Sequence, residues 1–371
     1  MIIGVPKEIK PDENRVALTP AGVRELTSSG HRVLIERSAG VGSSIEDAAY
    51  VANGAVMVES ADEVWASADL LVKVKEPIAA EYPRLRAREN QVLFTYLHLA
   101  ASRECTDALL AAGNVAIAYE TVRTSNNALP LLTPMSEVAG RMATLVGAYH
   151  LMRPGGGHGT LIGGVPGVLA ANVVVIGAGV AGVAAAQMAV GLEADVTILD
   201  RNLDRLREVD HHFSGRVQTV ASSTLALEDA CRRADIVVGA VLVVGAKAPK
   251  LVSNQLVSEM RPGSVLVDIS VDQGGCFEDT RPTTHSNPTF RVHNSVFYCV
   301  ANMPGAVPTT STQALANATL PYVVTLADQG WREATARNAA LSEGVNIVDG
   351  RVTYAPVAEA WGMEYHPLSS L

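Results

Sequence analysis

Several features that define other classes of protein are scarce in this sequence. Its four cysteines are scattered along 371 residues and form no CxxC pair, which argues against a disulfide framework and against a zinc site. We therefore expect no bound metal and a reducing, cytoplasmic environment. The chain also has no long basic run, and its formal net charge of -9 argues against a nucleic acid as partner, because binding to a phosphate backbone needs clustered Lys and Arg.

Signals for secretion and for membrane insertion are also missing. The N-terminus has neither the basic stretch nor the long apolar core of a signal peptide, and residues 2–5 are typical of a first strand. Residues 173–190 are nearly all apolar and long enough to suggest a membrane span. However, Gly177, Gly179 and Gly182 interrupt this segment, so we interpret it as a strand, a turn and a helix buried in a parallel sheet. We expect no membrane partner.

The apolar pattern predicts an α/β fold with two Rossmann-like domains. Short β-rich runs alternate with helical segments in the first third and again in the middle of the chain, which indicates parallel sheets. The predicted strands are residues 2–5, 33–36, 70–74, 92–95 and 115–118, followed by 173–176, 196–199, 217–220, 236–238 and 265–267. Helices are predicted from Thr19-Pro20 to about Ser28, over 46–53 and roughly over 313–329, with a kink or a restart at Pro321.

The length of the chain and the order of these segments predict two domains, one inserted into the other. A chain of 371 residues is longer than the chains that usually fold around a single hydrophobic core. We assign residues 1–129 and 305–371 to a discontinuous substrate domain. Residues 130–304 form a dinucleotide-binding domain that is inserted into it.

The most informative motif is the glycine turn Gly177-Ala178-Gly179-Val180-Ala181-Gly182, which lies between an apolar strand and an alanine-rich helix. Its glycines permit a tight turn, close approach of the backbone to a pyrophosphate, and close packing of the helix on the strand. Asp200 ends the next predicted strand, where a carboxylate can bind the adenosine ribose, and this favours NAD over NADP. Arg201 follows directly and leaves some use of NADP open. The alternative is a glycine-hinged core helix without a ligand.

Four polar residues occupy positions where catalytic groups are expected. Arg15 stands just before a helix start, Lys75 and His98 follow predicted strands, and Asp272 lies beyond the fifth predicted strand of the middle. Arginine can bind a substrate carboxylate, lysine can stabilise a developing carbonyl, and histidine can exchange protons near neutral pH. Each residue also has an ordinary interpretation: a surface charge, a lysine paired with Glu76, a structural histidine or a turn cap.

With these residues in view, the sequence resembles the L-alanine dehydrogenases over essentially its whole length. The segments that carry the resemblance are residues 3–8, 14–16, 72–77, 96–100, 130–136, 163–167, 271–276 and 300–308. The resemblance implies reversible oxidative deamination of L-alanine to pyruvate and ammonium with NAD, catalysed by a homohexamer.

The resemblance also implies roles for single residues. Arg15 and Lys75 would hold the substrate carboxylate and carbonyl, His98 would act as acid and base, and Asp272 would position water and ammonia at the imine carbon. Together with the glycine turn, the expected cofactor contacts are Ser136, Gly177, Gly179, Val180, Gly182, Asp200, Arg205, Val241, Leu242, Asn302 and Met303.

Three other functions stay open on the sequence. The opening of the chain is shared with the NAD-binding subunit of proton-pumping transhydrogenases, although His98 and Asp272 would have no role in simple hydride exchange. A saccharopine- or lysine-forming dehydrogenase would need a larger and more polar pocket, which the sequence does not show. In a regulatory NAD-sensing protein, the four candidate catalytic residues would have no catalytic role. The direction of the reaction and the tolerance for other small amino or keto acids are equally open.

Overall fold

The structure is a computed structural model that describes residues 1–241 and 248–371. These residues divide by their packing into two compact units. The first unit comprises Met1–Met135 with Val307–Leu371, and the second comprises Ser136–Ala306. Packing does not identify the ligand of either unit. The roles of the first unit as substrate domain and of the second as dinucleotide-binding domain therefore stay predictions.

Strands and helices alternate along most of the described chain. The strands are β1 Ile2–Val5, β2 Arg32–Glu36, β3 Val56–Val58, β4 Leu70–Val72, β5 Val92–Thr95, β6 Val115–Ala118, β7 Asn172–Ile176, β8 Asp195–Asp200, β9 Gln218–Ala221, β10 Ile236–Gly239, β11 Val265–Asp268, β12 Thr289–Val292, β13 Ser295–Tyr298, β14 Val345–Val348 and β15 Arg351–Val352. The helices are α1 Pro20–Ser28, α2 Asp47–Val51, α3 Ala61–Ser67, α4 Arg103–Ala112, α5 Thr133–Leu151, α6 Val180–Gly191, α7 Leu203–Phe213, α8 Thr224–Arg233, α9 Asn254–Glu259, α10 Pro308–Arg337, α11 Ala339–Glu343 and α12 Ala355–Trp361.

The first unit is built on an eight-stranded sheet in the order β15-β14-β6-β5-β4-β1-β2-β3. Strands β1 to β6 are parallel, whereas β14 pairs antiparallel with both β6 and β15. The central strands β1, β4 and β5 are therefore neighbours, and their carboxyl ends lie at one edge of the sheet. Ligands of open parallel sheets bind at that edge.

The second unit is built on a seven-stranded sheet in the order β12-β13-β11-β10-β7-β8-β9. All pairs are parallel except the hairpin of β12 and β13. After β7 the chain forms β8 on one side of that strand, and it later forms β10 on the other side. The gap between β7 and β10 is therefore a topological switch point, where open α/β sheets bind their ligands.

The predicted α/β fold with two Rossmann-like sheets is confirmed. All ten predicted strands are present, with ends that shift by at most two residues. Thr19 caps α1 as expected, since its hydroxyl accepts from the N–H of Gly22. Residues 173–190 are a strand, a turn and a helix, and in the described part of the chain no helix is long and apolar enough to cross a bilayer.

The predicted restart of the long helix at Pro321 was wrong in position. Helix α10 continues through Pro321, and the Thr325 hydroxyl donates to its carbonyl. The backbone leaves helical geometry at Gly330 instead, where φ is 74°. Glycine reaches positive φ without a steric penalty, so the break falls there.

Candidate active site

Arg15 lies in the segment between β1 and α1 and is fully surrounded by protein. Its Nε and Nη2 donate to the carboxylate of Glu13 over 2.6 and 2.5 Å, and its Nη1 lies 3.0 Å from Sδ of Met135. Burial alone would lower the pKa of Arg15, but the hydrogen bonds and charge of Glu13 raise the pKa above its usual value. Arg15 is thus a fixed, permanent cation, and one bidentate edge of its guanidinium, formed by Nε and Nη2, faces Glu13.

Lys75 follows β4 and is only 8% exposed. The Thr95 hydroxyl of the adjacent strand donates to its carbonyl over 3.1 Å and holds the backbone in place. Glu76, the next residue, also accepts from the ammonium of Lys10. Burial works to raise the pKa of Glu76, but the charges of Lys75, His98 and Lys10 together lower the pKa below its usual range.

A second buried cation lies two residues before Lys75. The ammonium of Lys73 is completely buried and contacts Glu8 over 3.1 Å and Glu81 over 2.9 Å. Glu8 also accepts the N–H of Val74 over 2.7 Å. Nothing local in the sequence marks this cluster, because Glu8 lies 65 residues from Lys73. The cluster holds the backbone directly before Lys75.

His98 follows β5 and has a strained backbone, with φ 49° and ψ 37°. A left-handed conformation is uncommon outside glycine and needs support from its surroundings. Glu120 gives this support, because its carboxylate accepts the N–H of His98 over 2.6 Å and the N–H of Leu97 over 3.2 Å. The same carboxylate lies 3.8 Å from Nδ1 of His98, whose side chain is 40% exposed. Glu120 follows β6 as His98 follows β5, but its contact with His98 depends on β5 and β6 being neighbours in the sheet.

The structure brings the predicted residues of the first unit to one edge of its sheet. Arg15, Lys75 and His98 follow β1, β4 and β5, which are adjacent strands. Tyr96 links two of them: its ring stacks on that of His98 with centroids 5.9 Å apart, and its hydroxyl lies within the electrostatic influence of Arg15. Glu76 is influenced by the charges of Lys75 and His98. Two cations and an accessible imidazole therefore share one edge.

The glycine turn of the second unit joins β7 to α6. Gly177 has φ 104°, and a Cβ at Gly182 would lie 1.8 Å from its carbonyl oxygen. Gly179 precedes α6, provides no side-chain cap, and would carry its Cβ into open space. The first N–H groups of a helix without a side-chain cap attract anions. The turn therefore fits the pyrophosphate of a dinucleotide.

Asp200 and Arg205 both bind the backbone of this turn. One Asp200 oxygen accepts the N–H of Ala178 over 2.7 Å, and the other accepts the N–H of Asn202 over 2.8 Å. The guanidinium of Arg205 donates to the Ala178 carbonyl over 2.9 Å. The end of β8 and the start of α7 are thus tied to the glycine turn, which brings three predicted cofactor positions together.

Val241 lies at the switch point beside the glycine turn. A Cβ added to Gly177 would come within 3.1 Å of its side chain. The carbonyl of Val241 accepts the Ser270 hydroxyl over 2.8 Å, which ties β10 to the turn that carries Asp272. Asp272 itself is exposed in a short 3-10 turn, Val271–Gln273. Leu242, the other residue predicted here, lies outside the described residues.

The remaining predicted cofactor positions lie on two further elements. Ser136 lies in the first turn of α5, and one turn later Gly140 packs so closely on α6 that a Cβ would lie 2.1 Å from the carbonyl of Ala181. Asn302, with φ 62°, precedes a 3-10 turn that begins at the buried Met303. Asn302 and Met303 follow β13, which neighbours β11 in the second sheet.

Fold and site together define a Rossmann-type oxidoreductase that binds a dinucleotide. Comparison with known families makes this more specific: the family model described as alanine dehydrogenase/PNT, N-terminal domain, matches residues 4–139, and its C-terminal counterpart matches residues 143–355. The chain therefore belongs to the alanine dehydrogenase/PNT family.

Individual relatives agree with this assignment. The chain is 61% identical to an alanine dehydrogenase from Mycolicibacterium smegmatis, over 97% of this chain and 96% of that protein. A solved structure of an L-alanine dehydrogenase superposes with a TM-score of 0.94 at 51% identity, over 98% of this chain and 99% of that one. A transhydrogenase structure from Sinorhizobium meliloti has a TM-score of 0.80 over 95% of this chain and 99% of that one. At 24% identity, that likeness is one of fold alone.

Proposed function

We propose that the chain catalyses the reversible reaction L-alanine + NAD⁺ + H₂O ⇌ pyruvate + NH₄⁺ + NADH + H⁺. The observation that carries the proposal is the edge of the first sheet, where buried Arg15 and Lys75 and the accessible His98 follow three neighbouring strands. A small substrate with a carboxylate needs fixed cations, and its oxidation needs a group that exchanges protons near neutral pH. The names of the relatives support alanine as that substrate.

We assign the substrate carboxylate to Arg15 and Lys75. Glu13 already pairs with one edge of the Arg15 guanidinium, so Arg15 would offer its N–H groups from another direction. Lys75 is held by Thr95 and by the buried cluster around Lys73, which favours a fixed position for its ammonium. Such positioning is valuable, because orientation of the reacting groups can supply roughly 7–11 kcal/mol of barrier reduction.

His98 and Asp272 are proposed to handle protons and water. Glu120 lies near Nδ1 of His98 and would keep the ring oriented. This leaves Nε2, the other ring nitrogen, to accept and return protons. Asp272 is exposed at the tip of its turn and would orient the water that attacks the imine carbon. His98 would then transfer protons as the carbinolamine collapses to pyruvate and ammonium.

The second unit is proposed to hold NAD. The glycine turn and the start of α6 would receive the pyrophosphate, and Asp200 the adenosine ribose. Ser136, Arg205, Val241, Leu242, Asn302 and Met303 complete the proposed set. When bound, NAD supplies the acceptor for the hydride that leaves the α-carbon. A carboxylate at Asp200 disfavours a 2′-phosphate, so NAD is proposed over NADP.

We also propose a homohexamer that works in a reducing, cytoplasmic environment. The four cysteines are unpaired and buried, which is consistent with such an environment. Apolar side chains on the second unit are available for self-association: Leu145 and Tyr149 are exposed one turn apart on α5, and Leu169 is 90% exposed. Light scattering would measure the assembly. Leu169→Ser should shift the mass downwards, whereas Leu225→Ser on α8, also exposed, should not.

The substrate is tested by measuring NADH formation with L-alanine, D-alanine, L-serine, glycine and L-lysine, each with NAD and with NADP. We expect turnover with L-alanine and NAD to exceed every other combination. A preference for lysine would point to a lysine- or saccharopine-type dehydrogenase. Hydride exchange between nucleotides without any amino acid would point to a transhydrogenase role.

The mechanism is tested with His98→Ala and Asp272→Asn. Loss of a positioned acid or base typically costs about 10²–10⁴-fold in turnover, so both variants should lose alanine-dependent NADH formation to that extent. His366→Ala, a half-buried histidine that contacts Glu364 in the same unit as His98, is the matched control and should keep its activity. Full turnover in both folded variants would refute the assigned roles.

A further inference from the structure

Asp268 is a fully buried carboxylate to which the proposed mechanism gives no task. It is the last residue of β11, which lies between β10 and β13 in the second sheet. A buried carboxylate without compensation is costly, because it loses its hydration. Its partners therefore explain why the fold retains it.

The carboxylate of Asp268 collects donors from both sides of Asp272. One oxygen accepts the N–H of Ser270 over 3.0 Å. The other accepts the N–H of Cys276 over 2.8 Å and that of Phe277 over 3.4 Å, together with the hydroxyl of Thr280. We call residues 270–277 the Asp272 turn. A single side chain thus holds the beginning and the end of the Asp272 turn, and Asp272 lies exposed between them.

Two further features connect the Asp272 turn to its surroundings. Gly275 has φ 77°, and a Cβ there would lie 2.5 Å from an oxygen of Asp268, so only glycine allows the Asp272 turn to close on it. Ser270 donates its own hydroxyl to the carbonyl of Val241 over 2.8 Å. Ser270 therefore connects Asp268 to the proposed cofactor position at Val241.

In the part of the chain that the structure describes, the Asp268 carboxylate is bound by the dipoles of backbone N–H groups and of one hydroxyl. Burial raises the pKa of Asp268, whereas the hydrogen bonds from Thr280 and from the backbone N–H groups of Ser270, Phe277 and Cys276 work in the opposite direction. An asparagine has nearly the same shape but carries an amide NH₂, which would face N–H donors in place of an acceptor. Leaving such buried groups without partners destabilises the turn that they hold.

We propose that Asp268 is a positioning residue that sets the conformation of the Asp272 turn, and so the place of the Asp272 carboxylate. The inference rests on the role proposed above for Asp272. It assigns no contact between Asp268 and the substrate or cofactor.

The first test compares Asp268→Asn with Asp235→Asn. Asp235 is also a buried carboxylate of the second sheet, but it precedes β10 and binds the N–H of Asn172 and the guanidinium of Arg261 at the opposite edge. A displacement of about 1 Å can cost about 10²-fold in rate, so Asp268→Asn should lower kcat by up to that factor. KM for alanine should stay close to that of the wild type. Asp235→Asn should keep its kcat, and equal losses in both variants would overturn the proposal.

A double variant separates positioning from general damage. If Asp268 acts through Asp272, adding Asp268→Asn to Asp272→Asn should lower kcat no further, because the two changes act on one element. A second full loss would overturn the proposal. If Asp268→Asn keeps its kcat while Asp272→Asn loses it, this inference alone fails. If Asp272→Asn keeps its turnover, the role of Asp272 fails, and the inference with it.

Thr280 provides a milder variant should Asp268→Asn fold poorly. Thr280→Val removes one donor to Asp268 at nearly constant volume, whereas Thr280→Ser keeps it. We expect a smaller loss of kcat in the valine variant and recovery in the serine variant. Hydrogen exchange followed by mass spectrometry should show faster exchange in residues 270–277 for Thr280→Val only. Unchanged exchange and unchanged kcat in that variant would overturn the proposal.

Discussion

In the first unit, the buried cations Arg15 and Lys73 are paired with carboxylates of other side chains, whereas in the second unit Asp200 and Asp268 are bound chiefly by backbone N–H groups. Among the residues that the structure describes, the buried lysine and arginine side chains all belong to the first unit. Asp200 and Asp268 in the second unit instead bind the backbone of the turns that follow β8 and β11.

This difference matches the ligands that we propose for each unit. A small anionic substrate offers few atoms to grip, so strong fixed charges at Arg15 and Lys75 would be needed to orient it. A dinucleotide is large and can be held by many backbone groups if the turns around it have the right shape. Charge would thus select the ligand in the first unit, and the shape of the backbone would select it in the second.

The largest expected effect breaks the charge cluster of the first unit. Lys73→Met removes the only cation that contacts both Glu8 and Glu81 in the described structure, and loss of one partner from a buried ion pair typically costs about 3–5 kcal/mol. We expect this loss in the free energy of unfolding, measured by urea denaturation. Lys10→Met removes a partly exposed partner of Glu76 and should cost about 0–1 kcal/mol.

The same variant should acquire a distinctive pH dependence. Burial already raises the pKa of Glu8 while Lys73 opposes that shift, so the pKa should rise further without the lysine. The folded variant would then bind a proton at a pH where the unfolded carboxyl has lost it. Its stability should therefore fall as the pH rises through the raised pKa of the folded state. A Lys73→Met variant that loses no stability between mildly acidic and neutral pH would contradict this account of the cluster.

The corresponding break in the second unit is Gly182→Ala. The added Cβ would lie 1.8 Å from the carbonyl oxygen of Gly177, and such overpacking costs about 1–3 kcal/mol. If the shape of the turn decides affinity, this corresponds to about 5–150-fold in binding. Calorimetric titration with NAD measures it. Gly191→Ala at the end of the same helix is the control, since an added Cβ there meets nothing within 4 Å. Equal affinities for both variants would show that the shape of the turn does not select the ligand.

The comparison also explains what sequence reasoning could find. Strand cores are local apolar runs, and the ends of parallel strands meet at one edge, so Arg15, Lys75 and His98 could be singled out by position alone. Their supporting carboxylates could not. Glu8 lies 65 residues from Lys73, and Glu120 lies 22 residues from His98, so each pair is defined only once the strands are ordered. Glu13 is close in sequence to Arg15, but nothing local shows that it occupies an edge of the guanidinium.

In the second unit, the glycine turn was easier to predict from the sequence than the hairpin at the edge of the sheet. The GxGxxG pattern has a steric cause that is visible in the sequence, whereas the hairpin of β12 and β13 consists of short strands, one of them mostly half-exposed. Asp268 was overlooked because a carboxylate at the end of a strand resembles a turn cap. Its importance depends on donors up to twelve residues away.

The smallest expected effects should be the same in both units. Ser60 caps α3 in the first unit and Ser223 caps α8 in the second, each by accepting an N–H of the first turn. Replacing such a cap by alanine typically costs about 1 kcal/mol, and neither site involves buried charge. Ser60→Ala and Ser223→Ala should therefore lower the free energy of unfolding of their own units by similar amounts, as measured by urea denaturation with hydrogen exchange to separate the units. If the two losses of unfolding free energy differ widely, the contrast between the units reflects their overall stability rather than their treatment of buried charge.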